Sequence, residues 1–199
     1  MALREIVPGL YQISLGVVNA FLIEEDGTLT LIDTGTPSAL GSIRRALAAG
    51  GQTPLELDYI VLTHCHADHT GSAAALQRET QARTFMHPSD AALTQEGQAA
   101  RPMTPAPGFL RSLAARFFVS PMPTEIEPAD IDEEVEDGQI LDIGSGLEVI
   151  HTPGHSAGHI ALLWHKHDGV LITADAAAHF LGLGYSIVYE DLEEGRRSL

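Results

Sequence analysis

The first third of the chain carries a short-period alternation of apolar and polar positions. Leu10–Leu15, Asn19–Glu24 and Thr28–Asp33 are rich in β-branched and aromatic residues and read as strands. Asp26-Gly27 supplies a tight hairpin turn between the second and third. The period then lengthens. Thr36-Pro37-Ser38 opens a helix with Leu40, Ile43 and Leu47 at helical spacing, and Gly50-Gly51 closes it. Asp58–Thr63 is a nearly continuous apolar run, which predicts a strand covered on both faces. A helix over Gly71–Thr80 and a strand over Ala82–Met86 follow. This alternation predicts helices crossing over between neighbouring strands.

The pattern breaks over residues 88–124, which prolines at 88, 102, 105, 107, 121 and 123 punctuate. Within them Gly108–Phe118 reads as a helix carrying Phe109, Leu110, Leu113, Phe117 and Phe118. The segment is an insertion, either a lid over a pocket or an elaboration packed on the core. Residues 125–137 hold eight acids in thirteen positions and read as a solvated loop or edge. Strand signals return at Gln139–Ile143, Leu147–His151, His159–Trp164 and Val170–Thr173, with turns at Gly144, Gly146 and Asp168-Gly169. Two stretches echo each other, YIVLTHCHADHTG and LEVIHTPGHSAGH, each a strand, then Thr, then a His-rich loop.

Composition narrows the function classes. A length of 199 residues suits a single domain spanning 1–199. Lys and Arg total 11 against 27 Asp and Glu, a formal charge of −16. That field repels phosphate backbones and anionic bilayers, so neither nucleic acid nor a membrane is expected as partner. One cysteine, Cys65, excludes an internal disulfide framework. The N-terminus lacks a signal-peptide pattern, and no apolar run reaches the length of a membrane span. A cytoplasmic protein acting on a small molecule is expected, with a homodimer left open.

The ten histidines supply the chemistry. Thr63-His64-Cys65-His66-Ala67-Asp68-His69 follows a buried-type strand, and its spacing suits two adjacent metal ions better than one. Cys65, between two ligand candidates, is expected to point away. In His151-Thr152-Pro153-Gly154-His155-Ser156-Ala157-Gly158-His159 the Pro-Gly turn presents His155 as the ligand candidate, with His151 and His159 in packing or supporting roles. Asp175 and Asp33 each end an apolar strand. Asp175 is the candidate anionic bridge, and Asp33 the candidate for orienting loop backbone or a ligand histidine.

LIDTG at 31–35, THCHADHTG at 63–71, TPGHSAGH at 152–159 and TAD at 173–175 occur in that order. Over roughly residues 10–180 the chain resembles the metallo-β-lactamase superfamily of dinuclear hydrolases. The resemblance implies an α+β, αββα sandwich: two mixed sheets face to face, helices on the outer faces, metals at one edge. It implies that His64, His66 and His155 bind one metal and that Asp68, His69 and Asp175 bind a second, with Asp175 bridging. The implied cofactors are two divalent ions, zinc foremost, with iron or manganese as alternatives. Asp68 is the implied catalytic residue, orienting or shuttling a proton. A metal-bridged hydroxide would attack the carbonyl of a small ester-like substrate, a thioester or lactone. β-Lactam hydrolysis at the same site and a mononuclear iron persulfide dioxygenase are the alternatives. The chain departs from the family pattern in two places: Ala174 stands where Gly is common, and no His occurs after His179. The Tyr that shortly follows the bridging Asp in the superfamily's quorum-quenching lactonases is also missing, since Ala176-Ala177-Ala178-His179 follows Asp175. A domain lacking its C-terminal ligand-bearing segment is therefore expected.

Overall fold

Strands β1 (Leu3–Val7), β2 (Leu10–Ser14), β3 (Asn19–Glu25) and β4 (Thr28–Ile32) form an antiparallel meander, with Asp26 and Gly27 at positive φ in the β3–β4 turn. Helix α1 (Leu40–Ala49) then crosses to β5 (Tyr59–Val61), which lies parallel to β4. Two short helices, α2 (Ala67–Thr70) and α3 (Ala73–Gln77), lead to β6 (Arg83–Met86), again parallel. Helix α4 (Pro88–Gln95), β7 (Thr104–Pro105) and α5 (Phe109–Ala114) follow, and α5 continues into a π-helical turn, Ala115–Val119. Strand β8 (Glu133–Glu134) pairs parallel to β6, completing a seven-stranded mixed sheet ordered β1-β2-β3-β4-β5-β6-β8. The computed structural model describes residues 3–119, 121–179 and 183–199.

The second sheet is antiparallel. It comprises β9 (Ile140–Leu141), β10 (Leu147–His151), β11 (Ile160–Trp164) and β12 (Val170–Ile172), ordered β12-β11-β10-β9. A small hairpin, β13 (Ala177–His179) with β14 (Leu183–Tyr185), precedes β15 (Val188–Tyr189), which pairs back onto β7. Helix α6 (Leu192–Arg197) ends the chain. The Asp191 carboxylate caps it by accepting from the Glu194 N–H, with acids in its first turn and arginines in its last.

Two apolar layers hold these parts. Strand alternation sends Leu10, Ile23, Ile32, Val61 and Phe85 of the first sheet against Leu147, Val149, Ile160, Leu162 and Trp164 of the second. The opposite face of the first sheet, with Leu22, Leu31, Ile60 and Leu62, is covered by Ile43, Ala46 and Leu47 of α1 and Ala73, Ala74 and Leu76 of α3. This is the face-to-face sandwich that the family resemblance implies, except that the second sheet, expected to be mixed, is antiparallel throughout, because short connections rather than crossover helices join its strands.

Local boundaries differ from the sequence reading where turn chemistry overrides periodicity. The helix expected over Gly71–Thr80 shortens to α3, Ala73–Gln77, and a separate helical turn, α2, precedes it at Ala67–Thr70, where Thr70 Oγ1 donates to the carbonyls of Cys65 and His66. Asp68 and His69 therefore ride on a helical turn. Helix α4 was masked by Pro88, which acts as a first-turn proline, with His87 Nδ1 accepting from the Ser89 N–H. The strand expected over Gln139–Ile143 shortens to Ile140–Leu141. Gly144 turns away at φ 55 where a side chain would collide with Glu25.

Candidate metal centre

The site forms where the loop after β5 meets the loop between β10 and β11. The Ile160 N–H donates to Thr63 O at 2.9 Å, so the two sheets are tied at the motif itself. Asp33 ends β4 with φ 62, a left-handed conformation that Asp tolerates better than most residues. Its Oδ1 accepts from the Thr63 N–H at 2.9 Å, and its Oδ2 accepts from Thr63 Oγ1 at 2.8 Å and from His69 Nδ1 at 2.7 Å. Thr34 N–H and Oγ1 both donate to His69 O. Gly71 lets this turn pass Pro37, which any Cβ there would strike.

In His64, His69 and His155 the outer nitrogen is engaged, which fixes where the inner one points, whereas the Nε2 of His66 is buried without a partner. His69 Nδ1 is held by Asp33, and His64 Nδ1 lies 3.0 Å from Thr63 Oγ1. His155 Nδ1 lies 3.0 Å from both Val188 O and Ser186 Oγ. The His155 ring is thus oriented by the segment that follows the β13–β14 hairpin. The inner nitrogens Nε2 of His64 and His69 are buried without a hydrogen-bond partner. His66 turns its Nδ1 inward, 3.0 Å from His155 Nε2. Asp175 sits on the short 3-10 turn Ala174–Ala176, reached through Ala174 at φ 42. Its Oδ1 is 3.4 Å from His69 Nε2 and its Oδ2 is 3.4 Å from His155 Nε2.

The described donors fall into three groups, each spanning no more than 4.8 Å: His64 with His66 and His155, His64 with His69 and Asp175, and Cys65 with His66 and Glu190, of which the first two share His64. Asp68 lines the same pocket at its rim, with Oδ2 4.0 Å from His69 Nε2. His159 donates nothing inward. Its Nδ1 meets Thr152 Oγ1 at 2.8 Å and its Nε2 accepts the Asp175 N–H at 3.1 Å, so it positions that carboxylate. His151 lies outside, stacked on His87 with ring centroids 4.0 Å apart. The His179 side chain lies outside what is described.

Electrostatics sort these groups. Burial, reinforced by neighbouring imidazoles, holds His64 well below the ordinary histidine range, and burial with His155 does the same to His66. Burial acts downward on His69 too, but Asp33, Asp175 and Asp68 outweigh it and raise that ring to about 10. Asp175 is lowered, because His69 and His155 outweigh its desolvation. The neutral rings of His64 and His66 thus sit beside a His69 ring and carboxylates whose mutual attraction favours positive charge at the same point. Unpartnered buried nitrogens are costly unless something binds them. Imidazole and carboxylate donors of this kind fit a divalent transition ion.

Residues 13–186 match the family described as the metallo-beta-lactamase superfamily. The chain belongs to that superfamily. Among curated relatives it is 33% identical over 163 residues to the uncharacterized protein YobT of Bacillus subtilis (strain 168), covering 80% of this chain and 61% of that one. It is 27% identical over 184 residues to the lactamase-like protein aptB of Emericella nidulans, covering 91% and 45%. It is 26% identical over 179 residues to the probable metallo-hydrolase YflN of B. subtilis (strain 168), covering 86% and 65%. The chain spans between 45% and 65% of the length of these relatives. A metallo-β-lactamase HARLDQ-motif mutant from Cronobacter sakazakii superposes with a TM-score of 0.70 at 25% identity, covering 86% of this chain and 62% of that one. BJP-1, a subclass B3 metallo-β-lactamase of Bradyrhizobium japonicum, superposes at 0.73 and 22% identity over 98% of this chain and 70% of its own, a likeness of fold.

Three residues around the site escaped the sequence reading: Asp90, Arg101 and Glu190. Asp90, fully buried in the first turn of α4, and Arg101 lie in the segment read as an insertion, and Glu190 lies beyond the last strand read from the sequence. Nothing in the local pattern marks them, since their partners lie far along the chain.

Proposed function

We propose that this chain carries the catalytic centre of a metal-dependent hydrolase acting on a small, uncharged ester-like bond, a thioester or lactone. The observation that carries the reading is the convergence of His64 Nε2, His66 Nδ1, His69 Nε2 and His155 Nε2 on Asp175, with two of those nitrogens buried and unpartnered. His64, His66 and His155 would hold one ion, and Asp68, His69 and Asp175 a second, zinc in both by preference. Bound there, the ions would supply an activated water near neutral pH and polarise the scissile carbonyl. The protein's own contribution is orientation. Asp33 keeps the proton of His69 on Nδ1, His159 anchors the backbone of Asp175, and Ser186 with Val188 fixes the His155 ring. Asp68, which lines the same cavity with its Oδ2 4.0 Å from His69 Nε2, would hold or pass a proton between the attacking water and the leaving group.

The cavity over these groups, about 930 Å³, favours an apolar substrate. Val17, Phe21, Met103, Val119, Leu171 and Ile187 line it. Arg101 is the one Arg or Lys among the described lining residues, and it is already bonded to Asp90 and Glu190. Away from the ion-binding groups themselves, the wall therefore offers no free guanidinium or ammonium to a substrate carboxylate or phosphate. Metal quantification followed by a panel of acyl thioesters, lactones, nitrocefin and a phosphodiester tests the reading. Chelator-sensitive turnover of the neutral esters is expected. One iron per chain with oxygen uptake on glutathione persulfide, or preference for nitrocefin or the phosphodiester, would overturn it.

A further inference from the structure

Two residues of the TPGHSAGH motif, Ser156 and Gly158, have no part in the chemistry above. Both meet the same buried side chain. Asp90 is 0% exposed, and its Oδ2 accepts from Ser156 Oγ at 2.6 Å and from the Cys65 N–H at 3.1 Å. Its Oδ1 accepts from the Gly158 N–H at 3.0 Å and from Arg101 Nη1 at 2.7 Å. Arg101 also reaches Glu190 at 3.3 Å, and its other amine donates to Ser89 O. Glu190 in turn accepts from the Ala157 N–H at 2.8 Å. Gly158 is required by this approach, because a Cβ there would stand 2.7 Å from Asp90 Cγ and from its backbone nitrogen.

The placement is specific. Cys65 lies between His64 and His66, and Ser156 follows His155. A single carboxylate therefore grips the residues adjoining ligand candidates in both loops. Burying a carboxylate carries a large desolvation cost. Here three donors and a guanidinium offset it, and Glu190 repeats the grip one residue away. His66 and His155, 89 positions apart in the chain, meet at 3.0 Å where these two loops are pinned.

We propose that Asp90, clamped by Arg101 and Glu190, is a positioning residue that sets the spacing of the 63–69 and 152–159 loops and so preorganises His64, His66 and His155 for a cation. The proposal rests on reading those three histidines as a metal site. It assigns the segment from α4 to Arg101, and Glu190 beyond it, a role in metal affinity without contact with the metal.

The test uses the full chain and Co²⁺, whose visible absorption reports ligand geometry, with circular dichroism of the metal-free protein as the fold control. Asp90→Ala is expected to weaken one of two Co²⁺ equivalents by about 10- to 100-fold and to shift its absorption, leaving the other equivalent unchanged. Asp90→Asn, which keeps acceptor oxygen but not charge, is expected to recover part of the loss. Ser156→Ala and Glu190→Ala each remove one grip, and are expected to give about tenfold losses at the same site even if Asp90→Ala fails to fold. Folded variants that bind both equivalents with wild-type affinity and spectrum would overturn the proposal. So would equal losses at both sites in step with lowered thermal stability, which mark a merely structural role. A wild-type chain that takes up no Co²⁺ overturns the metal-site reading and this proposal together, whereas a wild type that binds beside unaffected variants overturns this proposal alone.

Discussion

His69 Nδ1 donates to Asp33 Oδ2 across 2.7 Å, joining the end of β4 to α2 over 36 positions of sequence. The same carboxylate satisfies the Thr63 N–H and hydroxyl, so it holds strand, loop and ring at once. Asp33→Ala would leave buried donors unpaired and is expected to cost about 2–4 kcal/mol. Asp33→Asn keeps an acceptor for Thr63 but no longer holds the His69 proton as a charged partner. It is expected to retain the fold and to lose about 10- to 100-fold in affinity at the ion site that includes His69. Zinc titration of the Asn variant, beside thermal melts of the metal-free forms, checks both. Wild-type zinc affinity in Asp33→Asn would count against the orienting role.

Ala174 is held at φ 42 immediately before Asp175. That backbone disfavours a side chain with Cβ, and disfavours a β-branched one more. Ala174→Gly relieves the strain but adds freedom to the unfolded chain, so a gain of no more than about 1 kcal/mol is expected. Ala174→Val is expected to lose more than about 1 kcal/mol and to displace the Asp175 carboxylate. Denaturant melts of the three proteins give the order Gly ≥ Ala > Val. Equal midpoints for Val and Ala would show that the turn relaxes without cost.

Glu25 ties the two sheets away from the site. Its carboxylate is buried and accepts from Ser145 N–H, Ser145 Oγ and Trp164 Nε1, and Lys166 pairs with it at 2.8 Å. Burial acts to raise this carboxyl, but Lys166, Ser145 and Trp164 outweigh it and hold it at about 2 against an ordinary 4.5. A depressed folded-state value stabilises the fold fully above 4.5, and that contribution drains away as pH falls from 4.5 towards 2. Glu25→Ala is expected to lose about 2–3 kcal/mol at neutral pH and to flatten the acid limb of the stability curve. Urea midpoints measured between neutrality and strong acid for both proteins check the sign. A parallel pair of curves would show that Glu25 carries no acid-linked stability.

The meander, the crossover helix and most ligand candidates were readable in the chain because local signals carry them. Asp26-Gly27 forces a turn, Leu40, Ile43 and Leu47 repeat at helical spacing, and His64, His66 and His69 lie within six residues. Asp90 and Glu190 were not readable, because their importance comes from partners 66 and 33 positions away. Strand β1 was missed for another reason. As an edge strand it leaves most of its side chains exposed, so its sequence lacks alternation. His159 was legible as a supporting residue in general terms. Its bond to the Asp175 backbone depends on a 3-10 turn that no periodicity announces.

The cavity wall yields a kinetic prediction. Val17 lines the pocket on the β2–β3 connection and is 64% exposed, so a polar side chain there costs the fold little. If the substrate's apolar portion lies along this wall, Val17→Glu introduces an unpaired charge where that portion docks. The lost contact is made equally in ground and transition states, so KM should rise and kcat should hold. About tenfold in KM is expected for a long acyl ester, falling towards no effect as the acyl chain shortens, because each methylene buried contributes about 0.8 kcal/mol. Steady-state kinetics on a chain-length series separates the cases. A fall in kcat that is independent of acyl length would place Val17 near the reacting carbonyl and remove the wall from substrate recognition.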